Sequence, residues 1–266
     1  MNKLAADLMA EYSNLANLCE TLSAEQWSQH TDFYGWTPWD EIAHLLFFDE
    51  AALWAINDVA RFGVETADLG REIAAGEEMS GITRRRYNHL AGPKLLALWR
   101  QRHEKLVATL RDLDPKTRVP WYGPSMSARS FATARLMETW AHGQDIWDML
   151  GQERTSNSGL KHITHLGVTT YTWTFINRKL VVPEPVPYVN LQAPNGEQWA
   201  WGEPSEQNYV QGPALDFALL VTQRRNREDT KLTWAGDAAD QWTQFAQCFA
   251  GEPADSPPAG VRVSHT

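Results

Sequence analysis

The chain has 266 residues, 43% hydrophobic and 21% charged, with a formal net charge of -9 and a mean hydropathy of -0.45. That composition excludes disordered and fibrous classes and leaves one large or two small globular domains. The 33 acidic side chains against 24 Lys and Arg oppose a general nucleic-acid role, and no apolar run reaches the ~20 residues of a membrane helix.

From the N-terminus, Leu4, Leu8, Tyr12, Leu15, Leu18 and Leu22 recur at spacings of three and four, which predicts a helix over 3–21. Ser23 and Gln26 form a capping-box pattern. Thr37 before Pro38 predicts an N-cap and a second helix over 38–61. The stretch 63–92 reads as a long connection with a short helix around Arg84-Arg85-Arg86. Pro93 opens a third helix carrying Leu96, Trp99, His103, Leu106 and Leu110, and Ser127 or Ser130 caps a fourth that runs to Leu150.

A further helical segment over 160–180 follows. Strand-like Tyr188-Val189-Asn190-Leu191, with the Asn195-Gly196 turn, then predicts a hairpin. A helix over 212–225, a strand in 231–236 and a helix over 238–249 come next. The expected organisation is mainly α: a four-helix bundle with a connecting helix over 1–182, a small α+β domain over 183–251, and a disordered tail over 252–266.

Cys19 and Cys248 have no CxxC spacing, so both are expected to be packed thiols. The first residues lack the apolar core of a signal peptide, and the expected location is the cytoplasm. The 13 tryptophans imply large apolar surfaces. No GxSxG, Walker or dinucleotide glycine pattern stands in a suitable context.

The chemistry-bearing positions begin with Glu138 and His142, four apart on the fourth helix and therefore on one face. Such a pair is either a surface contact or half of a chelate; apolar Leu136, Met137, Trp140 and Ile146 around it favour an inward-facing pair that needs a partner. His44, within Ile42 to Phe48, is either a core histidine or the third donor. Two imidazoles and a carboxylate would leave open coordination positions, suiting zinc first, with nickel or iron as alternatives. Asp145, one turn after His142, either orients a ligand or faces solvent.

The run Trp36-Thr37-Pro38-Trp39-Asp40-Glu41-Ile42-Ala43-His44-Leu45, paired with Glu138-Thr139-Trp140-Ala141-His142-Gly143-Gln144-Asp145, resembles the metal-binding motifs of the DinB-like superfamily, in particular its mycothiol-dependent maleylpyruvate isomerase group. The resemblance implies a DinB-like four-helix bundle with His44, Glu138 and His142 as ligands of a divalent metal. It further implies a low-molecular-weight thiol cosubstrate, a small anionic unsaturated substrate, and isomerase or S-transferase chemistry. An arginine from the C-terminal domain, Arg224 or Arg225, is implied to hold the substrate carboxylate, although arginine at a helix end is also ordinary dipole complementarity. Two other readings stand beside this one: a metal-water hydrolase or hydratase with Asp145 as base, and a non-catalytic metal-stabilised binding protein. A bundle of this kind can also pair as a homodimer through an exposed apolar stripe.

Overall fold

A computed structural model describes residues 1–155 and 158–262. The chain divides into two compact units, Met1–Leu150 and Gly151 onward.

In the first unit, α1 (Asn2–Glu20), α2 (Pro38–Asn57), α5 (Gly92–Asp112) and α6 (Ala128–Met149) form the bundle. They close a ring in which α2 packs on α5, α5 on α1, α1 on α6 and α6 on α2. The stripe expected on α1 is its buried face: Leu4, Leu8, Tyr12, Leu15 and Leu18 are buried, as are Leu45, Trp99, Leu106 and Leu136 of the other helices, and Tyr12 meets Trp99 edge-on at 5.5 Å. Thr37 and Asp40 complete a reciprocal capping box, with Pro38 in the first turn, so α2 starts where the sequence places it. The Ser23 and Gln26 bonds also form, but they lead into a single 3-10 turn over Gln26–Ser28.

The stretch 63–92 differs from the expected connection. Asp58 ends α2 and caps α3 (Val59–Ala74), and α4 (Met79–Tyr87) follows. Among the residues of α3, Phe62 and Leu69 are the buried ones. Ion pairs instead tie α3 and the turn after it to α4, with Arg86 on Glu65 at 2.6 Å, and Arg85 on Glu72 at 3.0 Å and Glu77 at 2.8 Å. Ahead of α6, β1 (Arg118–Val119) and β2 (Met126–Ser127) pair antiparallel across a short loop.

In the second unit, α7 (Leu160–Thr169) and α8 (Tyr171–Asn177) replace the single expected helix, the break falling at Thr170. A four-stranded sheet has the order β4 (Gln198–Trp201), β3 (Tyr188–Gln192), β5 (Tyr209–Pro213), β6 (Thr233–Ala235). The β3–β4 pair is the expected antiparallel hairpin, whereas β5 runs parallel to β3 and was not foreseen. It is followed by α9 (Ala214–Val221), shorter than expected, and α10 (Asp237–Phe245) closes the unit.

Two boundary expectations are corrected. The helical segment after 160 belongs to the second unit rather than to the bundle. Gly167 shows why: a Cβ there would stand 2.8 Å from Val221 and 2.9 Å from Phe217, so α7 and α9 approach as closely as backbone allows. The tail is anchored through its described part. Arg178 pairs with Asp255 at 2.9 Å, Gln223 and Asn226 donate to the Ala254 and Pro257 carbonyls, and the Gly260 amide donates to Asp229. His265 lies outside the described residues. Among the described residues no helix is long and apolar enough to cross a membrane.

Candidate metal centre

The capping box fixes where α2 begins, and seven residues in, His44 and Phe48 share its half-buried side while Glu41 is completely enclosed. On α6, Glu138 and His142 lie one turn apart, with His142 Nε2 3.4 Å from Glu138 Oε2. Packing of α2 on α6 then brings the His44 and His142 rings to 4.4 Å between centroids. One donor atom from each of His44, Glu138 and His142 lies within 4.8 Å of the others, so the three expected ligands are gathered at one point.

His142 is held from its other edge by a residue that had no assigned role. Its Nδ1 donates to Glu41 Oε2 at 2.6 Å, and Thr31 Oγ1 donates to Glu41 Oε1 at 3.4 Å. A carboxylate on one imidazole nitrogen leaves the other nitrogen to accept, here toward Glu138. A lone pair facing a carboxylate oxygen is repulsive unless a cation stands between them, either a proton on the ring or a metal ion. The donor set of two imidazoles and a carboxylate, with a carboxylate behind one imidazole, fits a divalent metal.

Asp145 is 1% exposed and does not face solvent; its carboxylate lies with the Glu41 carboxylate and the His142 imidazole in a second group whose ligand atoms also fall within 4.8 Å. Aromatic rings wall the site. Trp36 is stacked at 13° over His142, 5.8 Å away, and stands 5.2 Å from His44, while Phe33 meets His142 edge-on at 5.4 Å. Apolar walls lower the local dielectric and strengthen whatever charge interaction forms among these donors.

Other candidates have structural explanations. Asp40 takes both Arg84 nitrogens at 2.7 and 2.6 Å besides capping α2. His103 is buried against Tyr12 and Trp99, and its pKa falls to about 3, chiefly through burial and further through Arg100. Trp140 is buried in the bundle core. Cys19 and Cys248 are both buried, and burial pushes the Cys19 thiol well up, so it is no nucleophile.

Arg224 and Arg225 lie in the second unit, just past α9. Each is 4% exposed, and their Nη1 atoms donate to the Thr222 and Arg224 carbonyls at 2.8 Å.

Glu41 was missed because an acidic residue in the first turn of a helix reads as dipole complementarity. The available signal was its place three residues before His44 in an otherwise apolar run, where a carboxylate needs a buried partner.

Residues 8–147 match the family model described as the mycothiol maleylpyruvate isomerase N-terminal domain. Two proteins of Mycobacterium tuberculosis, uncharacterized protein MT0041 (strain CDC 1551 / Oshkosh) and uncharacterized protein Rv0036c (strain ATCC 25618 / H37Rv), are each 40% identical over 251 residues, covering 93% of this chain and 95% of theirs. The crystal structure of the mycothiol-dependent maleylpyruvate isomerase is similar with a TM-score of 0.53 at 16% identity, over 82% of this chain and 87% of that one. A histidine-to-alanine mutant of that isomerase gives 0.52 at 15%, with the same coverage. At such identity these two structures establish the fold.

Proposed function

We propose, for a chain that belongs to the mycothiol maleylpyruvate isomerase N-terminal domain family, a metal-dependent enzyme that uses a small thiol to isomerise or thiolate an anionic unsaturated molecule. The observation that carries this reading is the convergence of His44, Glu138 and His142 within 4.8 Å, backed by the Glu41 bond to His142. These three side chains would hold a divalent ion, zinc first and nickel or iron as alternatives, and such an ion when bound lowers the pKa of a thiol.

The chain's own residues supply the rest. Glu41 keeps the Nδ1 proton of His142 and fixes the ring plane, so that Nε2 faces the site. Trp36, Phe33 and Phe48 set apolar rings against the histidine donors and raise the worth of each charge contact. A thiolate sulfur would add to the β-carbon of the unsaturated acid, moving the π electrons onto the conjugated carbonyl. Rotation about the resulting single bond and expulsion of the thiolate would return the other isomer, whereas protonation of the adduct would leave the thioether of a transferase. The setting would be the cytoplasm, where small thiols stay reduced.

Asp145 favours one alternative. Its burial beside His142 would suit a base for water attack, which needs no thiol. The deciding experiment is elemental analysis of the protein and of His142→Ala, followed by absorbance assays of unsaturated acids with and without mycothiol. About one ion per chain, lost in the variant, with thiol-dependent turnover is the expected result; full metal retention in the variant overturns the centre.

A further inference from the structure

A second cluster of chemistry-bearing side chains lies in the first unit, where α2, α3 and α4 meet the loop between β1 and β2. Arg86 of α4 lies over the Phe47 ring at 4.4 Å and gives Nη2 to Glu65 of α3 at 2.6 Å. Its Nη1 is buried and has no hydrogen-bond partner among the described residues. Tyr122, on the β1–β2 loop, packs edge-on against Phe48 at 5.5 Å, Phe62 at 5.3 Å and Trp121 at 4.9 Å. Its phenol oxygen is likewise buried without a partner.

Both orphaned groups offer a hydrogen. A guanidinium N–H can only donate, and burial, the foremost effect on the Tyr122 phenol, holds its pKa far above neutral, so the phenol keeps its proton. Arg86 lies over Phe47, whose ring is 5.1 Å from that of Phe48, and Phe48 is the ring that Tyr122 meets edge-on, so adjacent rings of α2 carry the two donors. Buried donors without acceptors cost stability, and a cluster with two donors to spare calls for an acceptor from outside the chain. Phe48 joins this cluster to the metal centre, since the ring that meets Tyr122 also meets His44 at 4.8 Å.

We infer that Arg86 and Tyr122 form a subsite for the carboxylate of a small organic acid, whose flat apolar body lies along Phe48 toward His44. A carboxylate offers two acceptor oxygens to the two donors and a charge to the guanidinium. Phe48, Phe62 and Trp121 give an unsaturated body its apolar walls. The inference rests on the proposed function for the kind of ligand, while the subsite itself stands on residues separate from the metal donors.

Calorimetric titration of the full chain with maleate tests it, with dimethyl maleate as the uncharged comparison. Tyr122→Phe removes one hydroxyl and keeps the ring packing, and Arg86→Gln removes the charge. Each variant is expected to bind maleate about tenfold more weakly at an unchanged fold, judged by circular dichroism, and dimethyl maleate should bind poorly throughout. The same Tyr122→Phe comparison made in the His142→Ala background separates this subsite from the metal centre. If His142→Ala keeps its metal, the centre fails while the tenfold Tyr122 effect upholds the subsite. Equal maleate binding with and without the Tyr122 hydroxyl, or no binding to the parent chain, overturns the subsite and leaves a buried water as the partner of both donors.

Discussion

Asp49 and Arg135 form an enclosed ion pair at the centre of the bundle. Arg135 Nη2 and Nε approach Asp49 Oδ1 at 2.9 and 3.0 Å, with the two side chains 4% and 0% exposed respectively. Tyr12 donates to the same carboxylate at 2.7 Å and Trp99 at 2.9 Å. All four bundle helices therefore meet on Asp49, which follows His44 by five residues, while Arg135 precedes Glu138 by three.

Asp49→Ala should destabilise the bundle by about 3–5 kcal/mol, because Arg135 would be left as a buried charge without its partner. Denaturant unfolding measures this. A loss below about 1 kcal/mol would mean that Arg135 finds other compensation and that the carboxylate does not pin the four helices.

Glu41→Gln keeps the shape behind His142 but removes the charge that orients the ring. Metal affinity should fall by roughly 10–100-fold, read by competition with a chromophoric chelator, while the melting temperature without metal changes little. An unaltered affinity would show that the ring is held by packing against Trp36 and Phe33 instead.

His103 gives the chain a pH dependence of known sign. Its folded pKa of about 3 lies below the ordinary 6.5, so between these values the unfolded chain binds the extra proton. Its contribution is fully present above 6.5 and is lost as pH falls toward 3, with a slope of at most about 1.4 kcal/mol per pH unit. Among the described residues the ring Nδ1 has no hydrogen-bond partner, so His103→Phe keeps the stack on Tyr12 without breaking a bond there. The variant should lose less stability than the parent between pH 7 and pH 4.5, and parallel losses would refute the assignment.

Gly92→Ala tests the start of α5. A Cβ at this position would collide with the Trp27 indole, which is itself buried, so either the ring or the helix must move. A cost of about 1–3 kcal/mol is expected from such overpacking, with partial recovery on adding Trp27→Leu. No cost in thermal unfolding would mean that Trp27 swings out freely.

What the sequence disclosed follows from where burial energy lies. Leu4 to Leu18 and the Thr37-Pro38 start of α2 were readable because one face is apolar and the cap is local. The short helix expected around Arg84-Arg85-Arg86 is α4, whereas α3 was hidden because Phe62 and Leu69 are too few to set a period and ion pairs between the helices do not repeat. Strand β5 was lost because the expected helix was started at Gly212, whereas pairing with β3 carries the strand to Pro213. At the site, the ligand trio was legible from spacing and resemblance. Glu41 and Asp49 were not, since their roles depend on partners 101 and 86 residues away.

The anchored tail has a consequence for the order in which the chain can finish folding during synthesis. The first unit is made of residues 1–150, so its own parts are all present while later residues are still being added. The second unit must wait: Arg178, Gln223, Asn226 and Asp229 receive their partners from residues 254–260, which leave the ribosome after everything they fasten. Until then those four side chains lack the partners that fasten them.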